Sequence, residues 1–272
     1  LLIVIHHLLC DGVTWRILLE DLEAGYRQAC DGHSVVFAPR TTSYLDWSNG
    51  QRQFAMSEEF HEDMKFWHKA QETLSSEIPV DGDPAQIDNV YRQSESVEIT
   101  LSEAETQAFL SQPQRAYRAD SESTLLAALG RALGDWHQGD ATRILVESHG
   151  REAMCDDQDL TRTVGWFTSI YPFILHADHD DYRQAIRVTK EDLRRIPRRG
   201  VSHGVSRYVA TPPLPSSSPK PALVFNYLGQ FDEPSAGNQE SEGLFCFAEE
   251  STGSMFGPRF QRQSLLEFTG II

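Results

Sequence analysis

The chain opens on five apolar residues, Leu1 to Ile5, that run directly into His6-His7-Leu8-Leu9-Cys10-Asp11-Gly12. A short apolar run that delivers two histidines and then turn residues predicts a strand, a tight corner and a helix. Neighbouring residues on a strand point to opposite faces. One of the two histidines is therefore expected to face a cleft and the other to face packing. An imidazole titrates at about 6.5, so a histidine in a cleft moves protons near neutral pH. Asp11 suits a helix cap, and Gly12 suits a tight backbone path into that helix. A metal site at His6, His7 and Cys10 is disfavoured, because strand neighbours diverge and no second ligand cluster accompanies them.

After Gly12 the spacing predicts a helix to about Ala29, with Ile17, Leu18, Leu22, Tyr26 and Ala29 on one stripe. A second helix is expected from about Ser57 to Leu74, with Phe60, Met64 and Trp67 on one face. Asp81-Gly82-Asp83-Pro84 reads as a turn-rich linker that divides the chain into segments 1–80 and 81–272. Beyond it, Val97 to Leu101 is expected to be a strand. Ser102 and Glu105 form a capping box for a short helix carrying Phe109 and Leu110. Another helix is expected to start between Asp120 and Ser123, carrying Leu125, Leu126, Leu129 and Leu133. Ile144 to Val146 and the run from Leu223 to Phe225 read as strands. Tyr182 to Ile196 reads as an amphipathic helix stopped by Pro197. Thr211 to Pro221 and Asp232 to Gly243 read as exposed loops. Strands mixed with helices define an α/β layered fold.

Composition bounds the function. The formal net charge of -16 argues against nucleic acid as a partner. The one dense basic run, Arg194 to Arg199, reads as a solvated face. Cys10, Cys30, Cys155 and Cys246 have neither disulfide-framework nor zinc-site spacing, so a reducing, cytoplasmic setting is expected. No apolar stretch reaches the roughly 20 residues of a membrane span, and Leu1 to Ile5 is too short for a signal peptide. The absence of an initial Met and the ending in Phe268-Thr269-Gly270-Ile271-Ile272 suggest a piece of a longer protein.

Several segments carry a family resemblance. The opening is an HHxxxDG motif, which resembles the signature of the condensation superfamily: chloramphenicol-acetyltransferase-like acyl transferases and the condensation and epimerization domains of nonribosomal peptide synthetases. Further segments resemble the epimerization branch and follow its order. Val13 to Leu22 and the helix Asp120 to Gly130 (a loose DxLLxAxG) are two. Glu147-Ser148-His149-Gly150-Arg151-Glu152 is similar to EGHGRE, and Arg162 to Pro172 keeps every fixed position of RTVGWFTxxYP. Pro197 to Gly204 is similar to PxxGxGYG, and Phe225 to Gln230 reads FNYLGQ. The departures are Ser148 for Gly in EGHGRE, Ser202 and His203 for Gly and Tyr in PxxGxGYG, and the less common Cys10 inside HHxxxDG.

The resemblance implies a two-lobed, chloramphenicol-acetyltransferase-like α/β fold lacking most of its N-terminal lobe. It places the end of that lobe in residues 1–80 and the C-terminal lobe in 81–272. It implies a proton removed from, and returned to, the α-carbon of an aminoacyl or peptidyl thioester. His7 and Glu147 would do this from opposite faces, and Glu147 would need a raised pKa. His6, Asp11 and Gly12 would hold the turn, and His149, Arg151 and Glu152 would order Glu147. Asn226 would donate a hydrogen bond near substrate or satisfy backbone, with Tyr227 beside it. Trp166 and Tyr171 would be core or channel wall. The substrate would arrive on the 4'-phosphopantetheine of an upstream peptidyl carrier domain, among adjacent synthetase domains. That agrees with the missing phosphate loop and dinucleotide fingerprint, so no cofactor is expected to bind directly. The rival readings are a condensation domain joining two carrier-bound substrates and a non-catalytic carrier-docking module. The chain on its own is expected to be inactive and poorly stable.

Overall fold

Local propensity and burial agree best in the middle of the chain. Asp120 accepts from the Ser123 backbone N–H and caps helix α5 (Ser121–His137), which buries Leu126, Leu129 and Leu133. Strand β1 (Ala141–Ser148) follows, with alternate residues Thr142, Ile144 and Val146 buried. Strand β2 (Ser169–His176) pairs with it antiparallel, setting Glu147 opposite Ile170. Strand β3 (Leu223–Tyr227) lies parallel to β1 on its other side, with Asn226 in register with Glu147. Strand β4 (Leu266–Gly270) adds parallel to β3, giving the order β2-β1-β3-β4. The computed structural model describes residues 1–73, 75, 77–83, 88–177, 181–215, 221–229, 244, 248 and 250–272.

The remaining helices are α1 (Gly12–Cys30), α2 (Tyr44–Phe54), α3 (Glu58–Glu72), α4 (Glu103–Tyr117), α6 (Tyr182–Arg195) and α7 (Val201–Tyr208). One apolar cluster joins Leu126 and Leu129 to Ile144, Val146, Phe173, Leu175, Leu223 and Phe225. Trp67 and Ile78 pack into it from the segment before Asp81. A second cluster gathers Trp47, Phe54, Phe60, Met154, Phe167, Val201 and Val205 behind the candidate site. The capping box at Ser102 and Glu105 is formed, with both reciprocal bonds present.

Several sequence expectations need correction. Leu1 to Ile5 is not a strand, and its Leu1, Leu2 and Val4 are exposed. Val97 to Leu101 is irregular as well, with Val97 and Ile99 exposed. A β-prone run becomes a strand only where a neighbour satisfies its N–H and C=O groups, and no described residue pairs with either segment. Of the α1 stripe only Ile17 is buried, while Leu22 and Tyr26 stand in solvent. The helix after the capping box runs on through Pro113 to Tyr117. Helices α2 and α7 and strands β2 and β4 were not expected. The β2 strand carries Pro172 at the sheet edge, where the missing N–H costs no ladder bond.

The basic run divides. Arg194 and Arg195 are exposed and pair with Glu191 and Asp192 one turn back. Arg198 lies over the Phe54 ring at 4.2 Å, and Arg199 faces the cavity described below. Leu74, Pro84, residues 216–220, Gln230, the loop Asp232 to Gly243 and Cys246 lie outside the described residues. The described part of the loop after Thr211 is irregular.

Candidate active site

The corner at His6 is a short 3-10 turn, His7–Leu9, rather than a strand end. His6 is exposed and its Nδ1 accepts from the Leu8 N–H at 3.1 Å. It therefore accepts from backbone rather than packing. His7 is exposed as well and lines the cavity described below. Its Nδ1 lies 2.7 Å from the Cys10 carbonyl oxygen, which can only accept. The Nδ1 therefore carries the proton, and Nε2 is left with a lone pair in the neutral ring. The His7 ring lies against Trp166, with centroids 4.8 Å apart. We expect His6→Ala to change stability by less than about 1 kcal/mol, as for an exposed single cap. Loss of turnover in His6→Ala with the fold kept, while His7→Ala stays active, would reverse the assignment of the two histidines.

Asp11 is buried and serves three partners. Oδ1 accepts the Thr14 N–H at 2.7 Å, capping α1, and Oδ2 accepts the Phe167 N–H at 3.2 Å. The third partner is the Arg151 guanidinium, at 3.0 Å from Oδ1. Arg151 is itself buried and donates to the carbonyls of Leu160 and Thr163 and to the Thr14 hydroxyl, with its guanidinium carbon 4.3 Å from the Phe167 ring centre. Arg151 thus orders the start of α1 rather than contacting Glu147. Gly12 begins α1 at the cavity wall, with open space where a Cβ would stand. The tight path expected there is not what fixes this glycine. Thr14, which sequence reading assigned no role, donates to the Gly165 carbonyl at 2.9 Å.

The segment 162–169 is a clamp, and its residues explain themselves one by one. Arg162 holds Glu20 and Asp21 of α1. Gly165 closes on Thr14, Trp166 backs His7, and Phe167 bonds Asp11 through its N–H. Ser169 donates to the Arg199 carbonyl at 3.0 Å. Gly150 fits against this clamp at φ 62°, where a Cβ would collide with the Phe167 carbonyl oxygen.

Glu147 stands near the end of β1, half-buried, and its Oε2 accepts from Asn226 Nδ2 at 2.7 Å. The parallel register sets those two residues side by side. Burial pushes the Glu147 carboxyl up from its ordinary range, Glu267 adds to that, and the His7 imidazole opposes it. His149, two residues on, accepts the Arg151 N–H on Nδ1 at 3.0 Å. Burial and the neighbouring Arg199 and Arg151 cations hold it below the usual imidazole range, against Glu152 and Asp11. Tyr227 follows Asn226 on the same wall.

His7, Asp11, Gly12, Glu147, His149, Asn226 and Tyr227 all line one cavity of about 590 Å³. His6 and Arg151 do not. His203 also lies elsewhere, against Trp67, with Nδ1 at 3.0 Å from the Ile170 oxygen and its pKa pushed down to about 4 by burial. Ser202 accepts from the Trp67 indole at 2.9 Å in the core.

Among the cavity residues not singled out from the sequence are Arg16, Asp120, Glu122 and Arg199. Asp120 and Glu122 were legible only as a helix start. Arg199 is aimed by two successive left-handed residues, Arg198 and Arg199 at φ 45°, followed by Gly200. Such conformations cost of order 1–3 kcal/mol each and recur at functional sites. A Cβ on Gly200 would collide with the Tyr171 ring. Burial and the adjacent Asp120 raise Glu122 to about 7, against the pull of Arg199. The folded state then binds more protons than the unfolded one between about 4.5 and 7, so stability falls as pH rises through that window. Glu122→Gln should therefore raise the melting temperature more at pH 8 than at pH 5. An equal gain at both would detach the effect from this titration.

The layered sheet and the HHxxxDG corner define a condensation-superfamily α/β domain, and comparison with known proteins agrees. The sequence matches the Condensation domain family over residues 1–255, and the chain belongs to that family. It is 40% identical over 276 residues to one of the linear gramicidin synthase proteins of Brevibacillus parabrevis, covering 100% of this chain and 5% of that protein. It is 35% identical over 277 residues to tyrocidine synthase 2 of the same organism, covering 100% and 8%. Among solved structures it is similar to the epimerization domain from the third module of tyrocidine synthetase B, with 35% identity and a TM-score of 0.87. That match covers 98% of this chain and 59% of the other. The first condensation domain of the CDA synthetase shares the fold at 15% identity and a TM-score of 0.58, covering 82% and 47%. The chain thus spans a small part of its curated relatives and under two thirds of that epimerization-domain structure. Among the described residues no helix is long and apolar enough to cross a membrane.

Proposed function

We propose that this chain is part of an epimerization domain in a nonribosomal peptide synthetase. It inverts the α-carbon of an aminoacyl or peptidyl thioester carried on the 4'-phosphopantetheine of an upstream carrier domain. The observation that carries the reading is that His7 and Glu147 line one cavity, with the Glu147 carboxyl pKa raised by burial. One group takes the α-proton, and the electron pair passes onto the thioester carbonyl as an enolate. The conjugate acid of the other returns a proton to the opposite face of the α-carbon. Neither group has to cross the substrate plane. Asn226 holds the Glu147 carboxyl in place through its amide. Similarity to the tyrocidine epimerization domain, greater in identity and in TM-score than to the CDA condensation domain, supports the same branch.

The second reading is condensation, favoured by the family's own activity and served by His7 alone as general base for an attacking amine. The two separate on a loaded upstream carrier in the full-length synthetase. We expect stereochemical scrambling with that carrier alone. Reaction only after a second, acceptor-loaded carrier is supplied would establish condensation instead, and carrier binding without either reaction would leave the docking role.

A further inference from the structure

We propose that a second cavity, sharing part of its wall with the reaction cavity, is a side-chain subsite for an acidic residue, taking the carboxylate of an aspartyl- or glutamyl-type group on the thioester. It has a volume of about 340 Å³ and shares Asp120, Glu122, Ser148 and Arg199 with the first. Ser148, the residue after Glu147, lines both spaces. Side chains alternate along a strand, so Glu147 and Ser148 leave opposite faces and the cavity wraps the end of β1. A side chain on an α-carbon held beside Glu147 is the part of the substrate offered to the annex that shares Ser148, Asp120, Glu122 and Arg199 with the reaction cavity. The phosphate of a pantetheine arm, separated from the thioester by a long chain, is not.

The lining defines the ligand's charge. Arg118, Lys190, Arg194 and Arg199 contribute four cations against Asp120 and Glu122. Asp120 is already engaged, accepting the Ser123 N–H as the cap of the 17-residue α5, whose positive end points the same way. Glu122 is raised to about 7, and its protonated form meets an incoming carboxylate as a hydrogen-bond donor. The cations have other partners too: Arg194 pairs with Glu191, Arg199 lies 3.6 Å from Glu152, and Lys190 donates to the Tyr117 carbonyl. A ligand carboxylate adds to these contacts from inside the cavity. The buried Tyr171 ring forms part of the wall.

This inference rests on the thioester reading above, and two measurements on the full-length synthetase separate them. The first loads the upstream carrier with glutamyl, glutaminyl and leucyl groups and compares initial inversion rates. The second measures by calorimetry the binding of N-acetyl-glutamyl and N-acetyl-glutaminyl amide analogues of the pantetheine thioester. We expect the acidic member to be favoured by about tenfold over its amide in both, the advantage of one charge-assisted hydrogen bond over a neutral one. Most of that preference should vanish in Arg199→Gln; because it is a ratio, general losses of activity cancel. Equal rates and equal binding for acid and amide overturn the subsite even if every substrate is inverted. Tighter binding of the acid with no inversion of any substrate supports the subsite and overturns the epimerase reading. A preference unchanged in Arg199→Gln overturns the subsite as placed here.

Discussion

Glu147→Gln, made in the full-length synthetase, is expected to slow inversion by about 10²–10⁴-fold, and His7→Ala by a similar factor, with the fold retained in both. The glutamine keeps the shape of the side chain and can still bond to Asn226, which lies 2.7 Å from the Glu147 carboxylate, but it carries no proton. The two faces of the reaction can be told apart in deuterated water. Exchange of the α-hydrogen without inversion needs one acid–base group, whereas inversion needs both. Glu147→Gln should therefore keep slow exchange from one starting enantiomer while losing inversion from both. The wild-type rate in the direction where Glu147 removes the proton should rise with pH through a carboxyl pKa above the ordinary range, because burial raises it. That limb should disappear in the glutamine variant. Normal inversion in Glu147→Gln would remove this residue from the mechanism and leave His149, in the same cavity, as the first partner to test.

The elements that periodicity alone located well are those whose apolar face is buried by neighbours within this chain. Helix α3 buries Phe60 and Trp67, and α5 buries Leu126, Leu129 and Leu133. Leu1 to Ile5 and Val97 to Leu101 have equally good patterns, yet neither is a strand, because ladder pairing is non-local and no described strand lies beside them. Strand β2 was hidden for the opposite reason: Pro172 argues against a central strand, and only the sheet order reveals an edge. At the site, His7 and Glu147 were legible from motifs and β1 from its apolar run. The wall that includes Asp120, Glu122 and Arg199 was not, since it depends on how the start of α5 meets a left-handed turn far along the chain. The pairing of Asn226 with Glu147 likewise follows from parallel register, which no local pattern encodes.

The same non-local logic sets the largest stability effect. The Asp11 and Arg151 side chains retain only 4% and 8% of their exposure, and between them they tie the α1 cap, Thr14, the 160–163 loop and Phe167. Removing one partner strands the other charge in a buried setting, which costs about 3–5 kcal/mol, far beyond an exposed ion pair. Arg151→Ala should therefore lower the melting temperature by roughly 6–20 °C for a domain of this size. Arg151→Lys should recover only part of this, because an ammonium cannot span Asp11 and the Leu160 and Thr163 carbonyls as the planar fork does. Asp11→Asn with Arg151→Met should lose less than the two single losses added, since neither charge is then left alone. Catalysis should report the same event. His7 precedes Asp11 by one helical turn's worth of chain and bonds the Cys10 carbonyl, so loosening the cap lets its Nε2 drift relative to Glu147. Turnover in Arg151→Ala should fall even at temperatures where the protein stays folded, and Arg151→Lys should recover part of it. A loss below about 1 kcal/mol on chemical denaturation would show that the pair is solvated in solution and that the clamp, rather than this ion pair, holds the corner.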